Sequence, residues 1–334
     1  MNLYIAHRPI TTASNRLLAL LFFLGLGRIV SAQCTLICNE GIQVSLDAAG
    51  HALITTQLIT PNAANSCPGA LELTLLNNVG QQIPNPLTCA NIGQIVTAKV
   101  RHLATGNFCT SDLEVIDGMA PALNCPDKFV FCNQDASPAE VGLPTASDNC
   151  TSANNLEINY FDTETTLGCG VFQNGQPVLK RIDRIWTAVD EQGNSSTCNQ
   201  KIWLKHIQAS NISYPLNRDN ISAPALQCGD DPEDLSLTGE PMVGGVPVGA
   251  SPECEIAVAF TDQIINHCLP AAYTVVRTRT TIDFCNGTVS SRVQLIKVED
   301  KVAPVLTAPA DVTIGTDGFT CTGSLTLPQA SATD

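Results

Sequence analysis

Short runs of alternating apolar and polar residues recur along the chain: IQVSL, EINYF, RIWTAV, YTVVRTRTTI and VQLIKV. Clusters of Gly, Pro, Asn and Asp separate them. A period of two places every second side chain on one face of a strand, and the clusters between supply turns. No long stretch shows apolar residues at helical spacing. The pattern predicts an all-β chain of many short strands. Its 334 residues exceed one sandwich domain, so several domains are expected.

The N-terminus departs from this pattern. Arg16 precedes an apolar run from Leu17 to Leu26, and the small residues Ser31 and Ala32 follow, with Val30 three residues before the expected cleavage point. That order predicts a secretory signal peptide over 1–32. The run is too short for a membrane span and no second one follows, so membrane insertion is not expected. Gln33 stands where a lipoprotein signal at Cys34 wants a small residue.

Composition agrees with export. Fifteen cysteines are spread along the chain, which suits an oxidising compartment, secreted or on the cell surface. The net charge of −14 argues against nucleic acid or an anionic membrane as partner, because both repel a negative protein.

The alternating runs belong to a repeat. The stretch RIWTAVDEQGNSSTCNQKIWLKHI from Arg184 and the stretch RTRTTIDFCNGTVSSRVQLIKVED from Arg277 both read as strand, Asp-containing turn, strand. Upstream, CNQDASPAEVGLP from Cys132 matches CGDDPEDLSLTGEP from Cys228, and SDNC ending at Cys150 matches SPEC ending at Cys254. Runs holding Phe161-Asp162 and Phe260-Thr261-Asp262 come next, followed by Cys169 and Cys268. A fainter copy carries Cys38, Cys67, Cys89 and Cys109. An acidic residue and Ala-Pro mark the joints in LEVIDGMAPALNC and LIKVEDKVAPVL. The expected domains are a divergent first repeat over 33–118, a second over 119–208, a third over 209–302, and the start of a fourth over 303–334 that stops inside the repeat, so the sequence reads as the N-terminal piece of a longer protein.

PALNCPDKFVFC, SPAEVGLPTASDNC and RIWTAVDEQGNSSTCNQKIWL resemble the HYR-type immunoglobulin-like repeats strung in tandem through very large bacterial surface proteins, especially those of Bacteroidota exported by type IX secretion. The resemblance implies tandem immunoglobulin-like β-sandwiches in a linear, disulfide-stapled array. It also implies a role in adhesion, filament building or surface display, and no reaction.

Each repeat offers four cysteines at matching places, so one pairing is expected to recur. The middle two would close a local loop, as Cys67–Cys89, Cys150–Cys169 and Cys254–Cys268. The outer two would staple the opening segment to the final hairpin, as Cys38–Cys109, Cys132–Cys198 and Cys228–Cys285. Sequential pairing, first with second and third with fourth, stays open. Cys34 and Cys125 fall outside the pattern and are expected free or joined to each other, and Cys321 is expected to lack a partner. Trp186, on an alternating strand, is the expected core anchor. Trp203 also falls on a strand, with core and surface both open.

Chemistry finds little foothold. There is no Gly-x-Ser-x-Gly elbow, no His-Glu-x-x-His and no phosphate-binding glycine loop, and no catalytic residue is expected. The histidines are scattered, and zinc is not expected. Carboxylates gather at turns and joints, including Asp148, Asp162, Asp190, Asp283, Glu299 and Asp300. Calcium needs six to eight oxygens, and no segment spaces them as a calcium loop does. Solvated acidic loops are the plain reading; Asp190, Glu299 and Asp300 are the calcium candidates, and no other cofactor is expected. The sequence thus predicts a non-enzymatic extracellular fibre, stalk or adhesin segment, used in attachment or gliding, whose partners are other protein chains, surface glycans or further copies of itself. A carbohydrate- or protein-binding module and a subunit of a symmetric filament are the alternatives.

Overall fold

The computed structural model describes residues 34–268 and 272–334. The expected signal peptide lies outside the described residues. Among the described residues strands dominate and every helix is short; no helix is long and apolar enough to cross a membrane. The chain forms two compact units. One runs up to Val44 and takes in Ala52–Ile116; the other comprises Ser45–His51 and Asp117–Asp334.

The first unit is built on an antiparallel meander, β1 (Leu71–Leu76), β2 (Ile95–His102) and β3 (Phe108–Ile116). Its core follows from the period of two. Val96, Ala98 and Val100 point inward along β2, and Leu113 and Val115 along β3. Burying each of the valine and leucine side chains among them is worth about 1.5–3 kcal/mol.

The second unit holds residues 119–208 and 209–302, and both use one strand plan. In 119–208, β4 (Lys128–Phe131) leads to β5 (Glu157–Gln173), β6 (Gln176–Val189) and β7 (Ser195–Lys205), in sheet order β5-β6-β7-β4. In 209–302, β8 (Leu226–Gln227) leads to β9 (Ile256–Cys268), β10 (Ala272–Asp283) and β11 (Thr288–Glu299), in order β8-β11-β10-β9. The last three strands of each pair antiparallel, while the first lies parallel to the last. This is an immunoglobulin-like plan. The β5–β6 turn is Asn174-Gly175, with φ of +49° and +74°. Two successive positive φ values match the strands' twist, which is why Asn-Gly is favoured there.

Strand length and register overturn most of the expected disulfides. Cys67 lies beside the His102 end of β2, where Leu103 N–H donates to Ala70 O, and Cys89 lies towards the Ile95 end. The length of β2, about 23 Å, keeps them apart. Cys67 is joined instead to Cys34, with Cα atoms 4.4 Å apart, so Cys34 is neither free nor bonded to Cys125. Cys150 precedes β5 and Cys169 is near its far end, so extended chain of about 40 Å rules out Cys150–Cys169. Strand β9 separates Cys254 from Cys268 in the same way. Lys128 stands level with Ile202 in the parallel β4–β7 pair. That register puts Cys125, not Cys132, beside Cys198, and Cys125–Cys198 is the bond formed. Cys132 lies about 25 Å further along. Cys228 donates its N–H to Glu299 O at the far end of β11, remote from Cys285 in the turn before that strand, and Cys228 is free and exposed. Cys38 and Cys109 are joined, with Cα atoms 5.8 Å apart, and Cys321 is free.

Candidate functional site

Four of the cysteines left by this geometry meet across the two repeats of the second unit. Cys132 and Cys169 lie at the end of 119–208 that carries the Asn174-Gly175 turn. Cys254 and Cys285 lie at the end of 209–302 that carries the β10–β11 turn. The bonds are Cys132–Cys254 and Cys169–Cys285, each with Cα atoms 5.2 Å apart. One apolar core runs through the seam. Leu179, Ile182, Ile202 and Leu204 from the first repeat of the pair pack with Val243, Val248 and Ile256 from the second. Asn133 Nδ2 donates across the seam to Val246 O at 3.0 Å. His206 Nε2 is 3.2 Å from Asp283 Oδ1, both groups buried, but the atoms are not aligned for a hydrogen bond. The contact therefore counts as proximity of opposite charge when His206 is protonated.

Beside the seam lies a cleft of about 510 Å³, lined by Tyr160, Asp162, Glu164, Lys180, Arg184 and Glu253 among others. Its charges satisfy one another. Lys180 Nζ donates to Glu253 at 2.8 Å and to Glu164 at 2.9 Å. These two hydrogen bonds, that to Glu253 first, hold the Lys180 ammonium above its ordinary range. Arg184 forms a two-pronged pair with Asp162, at 2.7 and 2.8 Å, and also donates to Ala136 O.

That arginine recurs. Arg277 grips Asp262 at 2.8 and 2.7 Å and donates to Pro232 O. In each repeat the Asp lies directly opposite its Arg across the hairpin, and an aromatic ring covers the guanidinium, Tyr160 at 4.6 Å or Phe260 at 4.1 Å. Both arginines are almost wholly buried. The carboxylate, carbonyl and ring offset the cost of taking the cation from water. This grip ties the hairpin to the loop after the opening strand. The Phe-Asp runs mark it in the sequence; the arginines sit in alternating strands as if they were solvent-facing, and composition hides them.

At the other end of 119–208 three turns bring carboxylates together. One oxygen each from Asp117, Asp148 and Asp190 lie within 4.8 Å of one another. Asp117 follows the last strand of the preceding repeat, Asp148 sits in the loop before Cys150, and Asp190 opens the β6–β7 turn. Backbone donors orient each one. Asp117 Oδ1 accepts from Met119 N–H and from Asn149 Nδ2 at 3.1 Å. Asp148 Oδ2 accepts from the N–H groups of Cys150 and Thr151 at 3.0 and 2.9 Å. Asp190 Oδ1 accepts from Gln192 and Asn194 N–H at 2.9 and 2.8 Å. Asp117 Oδ2 and Asp148 Oδ1 are buried with no donor. None of the three joins an ion pair among the described residues. At such separations each pair of carboxylates repels by about 3 kcal/mol or more at an effective dielectric near 20.

Of the calcium candidates in the sequence, only Asp190 is brought into this group. Glu299 accepts from Asn220 Nδ2 at 2.7 Å, and Asp300 accepts from Val302 N–H and Gln227 Nε2 at 3.0 and 3.3 Å. Asp117 was not a sequence candidate; its signal is the acidic residue that marks each joint. Trp186 is buried on β6 and donates from Nε1 to Gln200 Oε1 at 3.0 Å. Trp203 is also buried, on β7, stacked on Phe129. A second metal-like set, Cys34, Cys67 and His102, contains a bonded disulfide and offers no thiolate.

No protein-family model matches the chain, and no curated protein matches it in sequence. Among solved structures, it is similar at 12% identity to Drosophila N-cadherin EC1-4, covering 79% of this chain and 73% of that one, with a TM-score of 0.19. Similarity to mouse clustered PcdhgC3 EC1-3 covers 78% and 100% at 10% identity and a TM-score of 0.22. That to the human Desmocollin-1 ectodomain covers 85% and 65% at 11% identity, also at 0.22.

Proposed function

We propose that the chain is a non-enzymatic structural and adhesive protein of the cell exterior, part of a long repeat-built surface fibre, stalk or adhesin. The observation that carries this reading is the seam within the second unit. Two disulfides and one apolar core join repeats that a string of independent binding modules would leave separate. Bonds of this kind need an oxidising compartment to form and persist. Large apolar interfaces between domains oppose relative motion, whereas polar, smaller ones allow it. The resemblance to HYR-type repeats supports a bacterial setting with type IX export.

Deleting the gene in its source organism tests the reading. The expected result is loss of attachment to surfaces or to neighbouring cells, with growth in suspension unchanged and the protein reachable by protease on intact cells. Normal attachment by the deletion strain, or a protein found only inside the cell, overturns it. One observation favours the carbohydrate-binding alternative: half-exposed Tyr160 stands in the lining of the cleft. Glycan-array binding abolished by Tyr160→Ala would select that alternative.

A further inference from the structure

We infer that Asp117, Asp148 and Asp190 form a divalent-cation site, and that calcium is the ion it takes. Two independent observations support this. The first is spacing. Oxygens bound to one calcium ion at about 2.3–2.6 Å stand no more than about 5 Å apart, and one oxygen from each carboxylate lies within 4.8 Å of the others. The second is an orphaned atom. Asp117 is only 5% exposed, its Oδ1 is already taken by two donors, and its Oδ2 is buried with none. A buried carboxylate oxygen left bare is costly unless a cation or donor meets it. Asp148 Oδ1 is in the same state.

The donor chemistry selects the ion. The three ligands are hard carboxylate oxygens, with no thiolate or imidazole among them, which excludes a preference for zinc or copper. Three separate turns supply them, so the cage adjusts in size. Calcium accepts such irregular cages, while magnesium demands a near-ideal octahedron at shorter range. Backbone N–H groups hold one oxygen of Asp117, Asp148 and Asp190 alike, so the site is oriented before the ion arrives. Water and main-chain carbonyls would complete the shell.

The joint between 119–208 and 209–302 has a different pair at the matching positions. His206 follows β7 as Asp117 follows β3, and Asp283 opens the β10–β11 turn as Asp190 opens the β6–β7 turn. There a histidine stands 3.2 Å from the carboxylate. At one joint an imidazole faces the turn carboxylate; at the other only carboxylates meet.

The test is calorimetric titration of calcium chloride into the mature chain, with melting in calcium, in magnesium and in EDTA. One saturating calcium per chain is expected, with Kd of about 10⁻⁵–10⁻³ M. At ten times Kd the transition of the second unit should rise by about 3–6 °C, and magnesium at the same concentration should do less. Asp117→Asn and Asp148→Asn should each abolish the heat and the shift while melting in EDTA no lower than the wild type. Glu299→Gln with Asp300→Asn should keep both. Absence of saturable calcium binding by the wild type, its retention in both single variants, or melting of those variants well below the wild type in EDTA overturns the assignment.

Discussion

Residues 119–208 and 209–302 share a strand plan and a buried Arg–Asp grip, yet they fill the centre of the sheet differently. Along β6 the inward row is Ile182, Arg184, Trp186 and Ala188; along β10 it is Val275, Arg277, Arg279, Thr281 and Asp283. Trp186 lies opposite Cys198 and Arg279 opposite Arg292, and two residues further on stand Gln200 and Gln294. Trp186 donates one hydrogen bond to its glutamine, and Arg279 donates two to the equivalent oxygen and another to Gly239 O. The glutamine is the constant; its partner is an indole in one repeat and a guanidinium in the other. Burial first, then the neighbouring Arg277 charge, pushes the Arg279 guanidinium below its ordinary range, with Asp262 and Glu240 opposing. One polar acceptor fixed in a core thus tolerates exchange between an aromatic and a cation, provided that its lone pair is met.

The largest expected effect tests whether the two repeats are one folding unit. Replacing Cys169 and Cys285 by serine leaves the overlapping Cys132–Cys254 bond in place, so the loop released is about 70 residues and the chain-entropy model assigns about 4 kcal/mol to it before native strain. Calorimetry should show the transition of 119–302 moving down by many degrees and broadening or splitting. An unchanged single transition would mean that the shared core alone couples the repeats. Next comes the indole. Trp186→Ala should cost about 3–5 kcal/mol by denaturant unfolding, because it opens a cavity and leaves Gln200 Oε1 without its donor. Arg279→Trp is the converse. It supplies one donor to Gln294 and removes a buried cation, so a change within about 1.5 kcal/mol is expected; a loss as large as that of Trp186→Ala would show that the two centres are not interchangeable.

The grip should be equal in both repeats. Arg184→Lys and Arg277→Lys each give up the planar fork, and each should cost about 2 kcal/mol. Unequal costs would break the equivalence. Lys180 gives the smallest effect. Its carboxylate partners are half-exposed or more, so Lys180→Met should cost no more than about 1 kcal/mol. Because the folded ammonium is held above its unfolded range, its contribution is complete below about pH 10 and is lost as pH rises through the folded value. Wild type minus Lys180→Met, followed by unfolding against pH, should shrink as pH rises through that alkaline range.

The strands were legible because period two is a local property. Repetition was legible because turns and acidic joints recur in order. The cysteine pairing was not, since it depends on strand length and parallel register, which no local pattern states. A 17-residue β5 carries Cys169 to the far end of its repeat, and the Asn174-Gly175 pair, a two-residue hairpin signal, was the clue to where that strand turns. The burial of the arginines was not legible either, because charge in an alternating strand signals solvent unless its partner is known. Asp190 stood out by lying in a turn. Asp117 and Asp148 gain meaning only when three loops from distant parts of the chain converge.

The Cys132–Cys254 bond has a mechanical corollary. Tension applied along the chain reaches Cys132 and crosses directly to Cys254, a sequence separation of 122. Roughly 430 Å of contour, at about 3.5 Å per residue, is thereby withheld from stretching. The Cys169–Cys285 bond overlaps the same interval, so cutting either one leaves most of this slack locked by the other. Under load these repeats would hold a fixed length until both bonds are reduced, and even then Cys125–Cys198 would keep the part of the interval up to Cys198 locked.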